Sequence, residues 1–231
     1  QFSLKYRQRL SNLERRMKED LMDKRKCLLL GDYTHPRFHP LQGVDKQISV
    51  ILNDLMTVQC SENKKLLLGE HLSGYDLCIA YNELWNETVS PQQTAGLISY
   101  VSGGGGLIVL HTGVSLAKRY ELAQLIGGRF TGHPPYSPLN FRTQDHDITE
   151  GIQDFQLDEE PYRFEFDPFT EKTLLLEYEA DGEWLPAAWC HSYGLGRVVY
   201  LMPGHHEPSF HNQAVRELIY KAAKWAARIP R

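Results

Sequence analysis

The stretch "GGGGLIVLHTG", residues 103–113, decides how this fold is predicted. In a nucleotide-binding turn the glycines follow a strand and open a helix, so that backbone N–H groups meet the pyrophosphate. Here the glycines come first and lead into the apolar run 107–110, which predicts a buried strand. The glycines are therefore predicted to form a turn. His111 and Thr112 lie where the strand ends, the edge at which open parallel sheets bind ligands.

The segments around this strand alternate between strand-like and helix-like patterns. Strands are predicted at 26–33, 56–60, 75–81 and 107–110, and helices at 47–55, 91–101 and 116–128. Such alternation predicts a parallel sheet with helices on both faces. The second half is richer in strands, with a hairpin at the Gly-Leu-Gly of 194–196 and a closing helix at 213–228. We therefore predict an α/β fold: a three-layer, doubly wound, mostly parallel sheet with a β-rich excursion in its second half.

The N-terminal residues 1–25 differ from the rest of the chain. Up to Lys26 there are nine Lys and Arg residues against four acidic ones, and apolar residues recur every three or four positions from Tyr6 to Leu21. This spacing predicts a helix with one apolar stripe, which needs a cover. We expect residues 1–25 to form a helical arm appended to a single domain at 26–231. Either the chain's own body or a second subunit could cover the arm, and a homodimer or higher homo-oligomer is the expectation.

Composition excludes several classes of function. The 231 residues are 42% hydrophobic and 23% charged, which is ordinary for a globular domain. The formal net charge of −4 gives no overall attraction to nucleic acid or to an anionic membrane. No apolar run approaches the roughly 20 residues that span a bilayer, and no signal-peptide core is visible. The sequence thus predicts a cytoplasmic protein with a small-molecule or protein partner, rather than a nucleic-acid or membrane partner.

The four cysteines carry no recognisable site. Cys27, Cys60, Cys78 and Cys190 are widely spaced and each adjoins a strand-like run. Neither a zinc pairing nor a disulfide framework is visible in that spacing. We expect reduced thiols buried in the core, as in a reducing cytoplasm.

Histidines recur at the predicted carboxyl ends of strands. His35 follows the first strand, His111 the strand 107–110, and His205 with His206 the run "VVYLMPG". Taken singly, each could be a surface-loop or capped core histidine. Because the ends of neighbouring strands lie side by side, the coincidence favours a shared cleft. Asn82 and Glu83, which follow "CIAY", belong to the same edge.

Other candidates have equally ordinary alternatives. His133 lies beside two prolines, in a loop that either bends over the edge or is a rigid surface turn. The acidic run 158–160 is either a solvated turn or a source of a carboxylate that serves as base, acid or metal ligand. His211 opens the last helix, where a role near the helix cap is the alternative. A nucleophile elbow is absent after Leu110, since His111 and Thr112 stand where Ser or Cys would. Imidazole with carboxylate suits Zn²⁺ or a similar divalent ion, although no local motif requires one.

Five segments together resemble the ThuA-like (trehalose-utilisation) family, whose fold is related to the class I glutamine amidotransferase domain. They are "GGGLIVLHTG" (104–113), "IGGRFTGHPP" (126–135), "HDITEGIQDFQLDEEPYRF" (146–164), "GRVVYLMPGHHEPSFHN" (196–212) and "AAKWAA" (222–227). The family's typical elements fall on His111 with Thr112, on 128–134, on Glu160 with Tyr162, and on Gly204 with His205. The similarity covers about residues 26–228 and implies an amidotransferase-like or flavodoxin-like sheet without the amidotransferase cysteine. The basic arm and "HDIT", where many members have H-P-I-T, depart from the pattern; the second bears on His146.

The resemblance implies a carbohydrate-utilisation enzyme that acts on a sugar or keto-sugar derivative by hydrolysis, elimination or isomerisation. In this interpretation His111, Glu160 and His205 are the catalytic residues. His35, Asn82, His133, Tyr162 and His211 bind the substrate. A divalent metal such as Zn²⁺, held by His111 and His205, is a candidate cofactor. The alternative from another class is a non-catalytic sugar-binding or regulatory module on the same fold, which fold alone does not distinguish.

Overall fold

A computed structural model of the chain describes residues 24–34 and 37–230. The predicted arm, apart from Lys24 and Arg25, and the candidate His35 lie outside these ranges. Within them the fold is mixed α/β with a large central sheet and several helices, which confirms the predicted class. None of the helices in the two ranges is long and apolar enough to cross a membrane.

Eleven strands and five α-helices make up the described residues. The strands are β1 (Arg25–Leu30), β2 (Met56–Ser61), β3 (Leu77–Ala80), β4 (Gly106–Leu110), β5 (Gly128–Gly132), β6 (Ser137–Thr143), β7 (Phe155–Glu159), β8 (Arg163–Phe166), β9 (Thr173–Ala180), β10 (Glu183–Tyr193) and β11 (Gly196–Leu201). The α-helices are α1 (Val44–Ile51), α2 (Gly69–Leu72), α3 (Pro91–Ser102), α4 (Tyr120–Ile126) and α5 (Gln213–Ala226). Three 3₁₀ segments span Lys64–Leu67, His111–Lys118 and Glu207–His211.

Nine strands form one sheet in the order β2-β1-β3-β4-β11-β10-β9-β6-β7, and β5 with β8 forms a separate two-stranded ribbon. The first five strands pair in parallel. The remaining four pair antiparallel. The three-layer arrangement with helices on both faces stays a prediction.

The central parallel strands β3 and β4 are continuous apolar runs, as expected for strands buried on both faces. Every residue of β3 and β4 is buried. The register pairs Leu110 at the end of β4 with Leu201 at the end of β11. The residues that follow these two strands therefore emerge side by side at the carboxyl edge of the sheet.

Two helices show how local sequence sets the helix boundaries. Ser90 caps α3 by accepting a hydrogen bond from the backbone N–H of Gln93, and the Gln93 side chain accepts one from the N–H of Ser90. This reciprocal capping box, with Pro91 at the first helical position, confirms the predicted start. In α5 the buried positions recur at helical spacing from Val215 to Ala226, so one face packs on the core.

Several segments differ from the sequence prediction. The helix predicted at 47–55 begins and ends earlier, at Val44–Ile51. The predicted helix 116–128 is shorter, since α4 begins only at Tyr120 and a 3₁₀ segment precedes it. The predicted loop around His133 contains strand β5, which pairs with β8. Strands β6 and β7 were not predicted. Their polar residues alternate with apolar ones near the sheet's edge, so the apolar runs are too short to stand out.

The cysteines lie on the strands, as the sequence indicates. Cys27, Cys78 and Cys190 are buried and Cys60 is half-buried, and all four are free thiols. Burial raises the pKa of the Cys78 thiol to about 12. These thiols therefore behave as small core residues rather than nucleophiles.

Candidate functional site

Three histidines and one glutamate from distant parts of the chain meet at the carboxyl edge of the sheet. His111 follows β4, and His205 lies in the loop after β11. Glu160 comes directly after β7, and His39 lies in the segment between β1 and α1. One nitrogen or oxygen from each side chain lies within 4.8 Å of all the others. We call these four residues the Glu160 cluster.

A single carboxylate oxygen is the common point of the Glu160 cluster. Oε2 of Glu160 lies 3.2 Å from Nε2 of His111 and 3.2 Å from Nδ1 of His205. It also lies 3.6 Å from Nε2 of His39. The three imidazole rings are 4.9 to 5.4 Å apart between centroids. The arrangement directs three ring nitrogens at one oxygen.

The position of His111 is set by its backbone and by one carbonyl. Its φ is +44°, an uncommon conformation for a residue with a Cβ, and it turns the chain sharply after β4. Nδ1 lies 2.6 Å from the carbonyl oxygen of Met202, which follows the neighbouring strand. On the ring face, Tyr162 lies 4.4 Å away between centroids. These contacts direct Nε2 towards Glu160.

Glu83 orients His39 from the side of the ring opposite Glu160. Its Oε2 lies 3.6 Å from Nδ1 of His39. The same oxygen accepts backbone hydrogen bonds from Arg37, Phe38 and His39 at 2.9 to 3.2 Å. Glu83 itself is placed by Asp32, whose carboxylate accepts from the N–H of Glu83 at 2.7 Å. One carboxylate thus holds the segment that carries His39 and sets its ring direction.

Burial and charge oppose each other in the Glu160 cluster. Burial lowers the pKa of His111 to about 3 despite the neighbouring Glu160, because the ring is fully enclosed. Burial raises the pKa of Glu160, but the three surrounding imidazoles of His111, His205 and His39 outweigh it and hold the pKa well below its usual range. Burial lowers the pKa of His39, but Glu160 and Glu83 outweigh that effect and raise it. At neutral pH the cluster therefore contains an ionised carboxylate beside a neutral, buried His111.

A cleft opens beside the Glu160 cluster. It has a volume of about 320 Å³. Its lining residues are Phe38, His39, Trp85, Phe130, His133, Glu160 and Tyr162. Trp85 lies 4.9 Å from Phe130 and Phe130 4.5 Å from Tyr162 between ring centroids, so these rings form a continuous aromatic wall. Aromatic walls with a few convergent polar groups are typical of small-molecule sites.

The structure brings some of the predicted site residues together and leaves others apart. His111, Glu160 and His205 meet in the cluster, and His133 lies 3.8 Å from Glu160 through Nε2. Tyr162 packs on His111 and lines the cleft. The roles assigned to these residues stay predictions.

Two predicted substrate-binding residues lie outside the cleft lining. The side chain of His211 is 62% exposed, and its Nε2 lies 2.7 Å from Oε1 of Glu207. The N-cap of α5 is Asn212, not His211. Asn82 is buried, and neither atom of its side-chain amide has a hydrogen-bond partner among the described residues. His35 lies outside the described residues.

Sequence reasoning missed His39 and left Glu83 and Glu159 without a role. His39 belongs to "THPRFHP", four positions after His35, and the argument from strand ends selected the nearer histidine. An isolated bridge between Asp32 and Pro40 returns the segment to the sheet edge, which places His39 rather than its exposed neighbours in the cluster. The only available signal was the second histidine followed by proline in the same loop.

Comparison with known proteins agrees with the family that the motifs resemble. Residues 35–226 match the family model named ThuA and described as "Trehalose utilisation". The chain belongs to the ThuA family. The match includes His39, His111, Glu160 and His205, so the whole Glu160 cluster lies in the ThuA region. No curated protein matches the chain.

Solved structures show the same ThuA fold at low sequence identity. A ThuA-like protein from Parabacteroides merdae is 17% identical, with a TM-score of 0.71 over 89% of this chain and 90% of its own. One from Bacteroides uniformis is 18% identical, with a TM-score of 0.69 over 87% and 90%. A cytoplasmic protein from Salmonella typhimurium is 14% identical, with a TM-score of 0.63 over 86% and 97%. These likenesses establish the fold of the ThuA chain.

Proposed function

We propose that the chain is an enzyme of carbohydrate utilisation that acts on a sugar or keto-sugar derivative by hydrolysis, elimination or isomerisation. The observation that carries the proposal is the convergence of His39, His111 and His205 on one oxygen of Glu160 beside an open cleft. A family described by trehalose utilisation supports the substrate class. A cytoplasmic location and a homo-oligomer are part of the same proposal.

The Glu160 cluster supplies groups suited to proton transfer on a sugar. An ionised Glu160, with a side chain only 14% exposed, is positioned as a base for a proton on carbon or oxygen. His205 is 19% exposed and contacts Glu160 through Nδ1, so it is a second group that can donate or accept a proton. His133 and Tyr162 stand along the cleft and are suited to orienting substrate hydroxyls.

The aromatic wall favours a ring-shaped, amphipathic ligand. Trp85, Phe130 and Tyr162 contribute aromatic rings to the lining of the cleft, and His133 and Glu160 contribute polar atoms. A sugar ring offers C–H groups to such faces and hydroxyls to the polar side. This pairing supports a carbohydrate ligand over a purely apolar one.

A panel of trehalose, its mono-oxidised keto derivative, and the matching glucose and keto-glucose tests the proposal. NMR time courses with the full chain should show conversion of at least one compound, and Glu160→Gln should slow it by about 10²-fold or more. The matched control is Glu179→Gln, an exposed carboxylate on β9 whose loss should leave the rate unchanged.

The same panel distinguishes the non-catalytic module. If a sugar binds by calorimetry and no compound is converted, the chain is a sugar-binding module and the enzyme proposal is wrong. If none of the compounds is bound or converted, the carbohydrate proposal is wrong as well.

A further inference from the structure

We propose that His39, His111, His205 and Glu160 bind one divalent transition-metal ion. The inference deepens the proposed function and rests on it only for what the ion does in the reaction, since binding itself follows from the side chains. It extends the expected pair of His111 and His205 by two further ligands, one of which no sequence motif indicated.

The first argument concerns the proton on His111. A carbonyl oxygen only accepts hydrogen bonds, so the Nδ1 atom that lies 2.6 Å from the Met202 carbonyl carries the proton. With the proton on Nδ1, the lone pair of the ring lies on Nε2, the nitrogen that is available to bind a cation. That lone pair faces Oε2 of Glu160 at 3.2 Å. Two electron-pair donors in direct contact are favourable only with a cation between them.

The second argument is the spacing of the ligand atoms. Metal–nitrogen and metal–oxygen bonds to Zn²⁺ are about 2.0–2.1 Å, which places two ligands of a tetrahedral ion about 3.3 Å apart. The three nitrogens lie 3.2, 3.2 and 3.6 Å from Oε2 of Glu160. All four atoms lie within 4.8 Å of one another. The three nitrogen–oxygen separations therefore match neighbouring ligands of one ion, with Glu160 next to each histidine.

The third argument is the state of His39. Its side chain is only 3% exposed, yet neither ring nitrogen has a hydrogen-bond partner among the described residues. Nδ1 of His205, which faces Oε2 of Glu160 at 3.2 Å, is likewise buried without a hydrogen bond among the described residues. Buried polar atoms without partners are uncommon in folded proteins and call for an explanation such as an ion. A metal ion would satisfy His39 and His205 at once.

The surroundings provide the supports that metal-bound histidines usually have. Glu83 lies 3.6 Å from the outer nitrogen of His39, and the Met202 carbonyl accepts from the outer nitrogen of His111. Carboxylates and carbonyls in these positions fix the ring and strengthen the ligand. Glu83 is therefore a positioning residue for the ion.

The donor set defines the class of ion. Three imidazoles and one carboxylate suit Zn²⁺, Co²⁺, Ni²⁺, Fe²⁺ or Mn²⁺, whereas Ca²⁺ and Mg²⁺ prefer oxygen ligands. Glu160 and His205 are the two half-buried members of the cluster, and Glu160 lines the cleft. An ion with a fifth or sixth position would therefore present it to a ligand in the cleft.

Metal content of the full chain, produced without a polyhistidine tag and purified without chelator, tests the proposal directly. We expect about one transition-metal ion per chain by elemental analysis. After removal by chelator, Co²⁺ should restore one equivalent with a visible absorption spectrum typical of nitrogen and oxygen ligands, and the melting temperature should rise. If the folded chain binds none of Zn²⁺, Co²⁺, Ni²⁺ and Mn²⁺, the proposal is wrong. A proton shared between Glu160 and the histidines then takes the place of the ion.

Variants locate the ion. Glu160→Gln and His205→Gln should lower affinity for Zn²⁺ by more than about tenfold, and Glu83→Gln, which removes only the support of His39, by about 10–100-fold. His191→Gln is the matched control, since His191 is buried on β10 and contacts the Leu125 carbonyl instead of the cluster. If Zn²⁺ binds to the Glu160 and His205 variants with unchanged affinity, the ion lies elsewhere and the assignment is wrong. Circular dichroism identifies any variant that has failed to fold, and His205→Gln, the most exposed of the four positions, then decides the assignment.

The metal assignment and the proposed function fail in different ways. An ion that binds at the cluster while no sugar is converted supports the site and contradicts the enzyme proposal. Conversion of a sugar by chain that contains no metal and takes up none contradicts the site and leaves the enzyme proposal standing.

Discussion

Oε2 of Glu159 accepts a hydrogen bond from the backbone N–H of Gly204 at 2.8 Å, and this contact ties the end of β7 to the loop after β11. The same oxygen lies 3.2 Å from the N–H of His205, and the other oxygen accepts from the N–H of Glu160 at 3.0 Å. Glu159 is completely buried. One enclosed carboxylate therefore holds the backbone of two members of the Glu160 cluster in place.

Replacing Glu159 by Ala should be strongly destabilising. The change leaves the buried N–H of Gly204 and the half-buried N–H groups of His205 and Glu160 without their acceptor, and a buried unpaired group costs about 1–3 kcal/mol. We expect the free energy of unfolding in urea to fall by at least about 3 kcal/mol. In Glu159→Gln, which keeps one acceptor oxygen, the free energy of unfolding should fall less. Glu179→Ala, on the exposed side of β9, should stay within about 0.5 kcal/mol of the wild type. Equal losses for Ala and Gln would contradict the hydrogen-bond explanation.

The adjacent histidines His205 and His206 should differ sharply in their effect on turnover. His205 points Nδ1 at Glu160, whereas Nδ1 of His206 lies 3.4 Å from the Ser209 hydroxyl and its ring contacts Tyr136. Substitution His205→Gln should lower kcat by about 10²-fold or more, as expected for loss of an acid–base group or a ligand. His206→Gln should change kcat by only a few-fold. Similar losses in both variants would show that the loop, not the ring of His205, is what matters.

Trp85 should contribute to binding rather than to chemistry. Its ring lies in the cleft wall, 4.9 Å from Phe130 between centroids. Among the described residues, no hydrogen bond or ring contact joins it to the Glu160 cluster. Trp85→Ala should raise KM by about tenfold with kcat nearly unchanged, the equivalent of one lost aromatic contact. Trp184→Ala is the control, because that ring stacks on Arg142 on β6. A fall in kcat with constant KM would contradict a binding role.

Gly113 permits the close approach of two strand ends. A Cβ at this position would lie 2.0 Å from the carbonyl oxygen of Ala80, at the end of β3. Gly113→Ala should therefore move the turn that carries His111, lower the free energy of unfolding by about 1–3 kcal/mol and impair the site. Gly74→Ala, where the nearest atom is 3.6 Å away, should be neutral or mildly stabilising. A Gly113→Ala protein with wild-type stability in urea would show that the turn relaxes freely.

Stability should depend on pH through His191. Burial lowers the pKa of His191, opposed by its hydrogen bond to the Leu125 carbonyl and by Asp167, and reinforced by Lys172. The unfolded chain then takes up the proton first as pH falls below about 6.5, so the stabilising contribution is present above that pH and is lost below it. His191→Gln should remove this part of the pH dependence. Between about pH 8 and about pH 5, the free energy of unfolding measured in urea should fall more steeply with pH for the wild type than for the variant. Parallel curves would assign the acid sensitivity to other groups.

The sequence alone determined the fold class and much of the strand pattern. Buried parallel strands are continuous apolar runs, and their order in the chain, interrupted by helices with clear caps such as Ser90, is written in local residue types. His111 and His205 could be placed at one edge because both follow such strands. Strands β6 and β7 escaped because alternating polar residues carry a weaker signal than unbroken apolar runs.

The composition of the Glu160 cluster was decided by tertiary structure. His39 enters the cluster because Glu83, which follows β3, accepts hydrogen bonds from the backbone around it. His211 stays outside the cluster because its ring contacts Glu207 and Gln47 instead. Local residue types indicate which backbone conformation a segment adopts. Local residue types do not indicate which of several loop histidines contacts a given carboxylate. That choice depends on contacts between segments far apart in the chain, and such contacts leave no periodic pattern in the sequence.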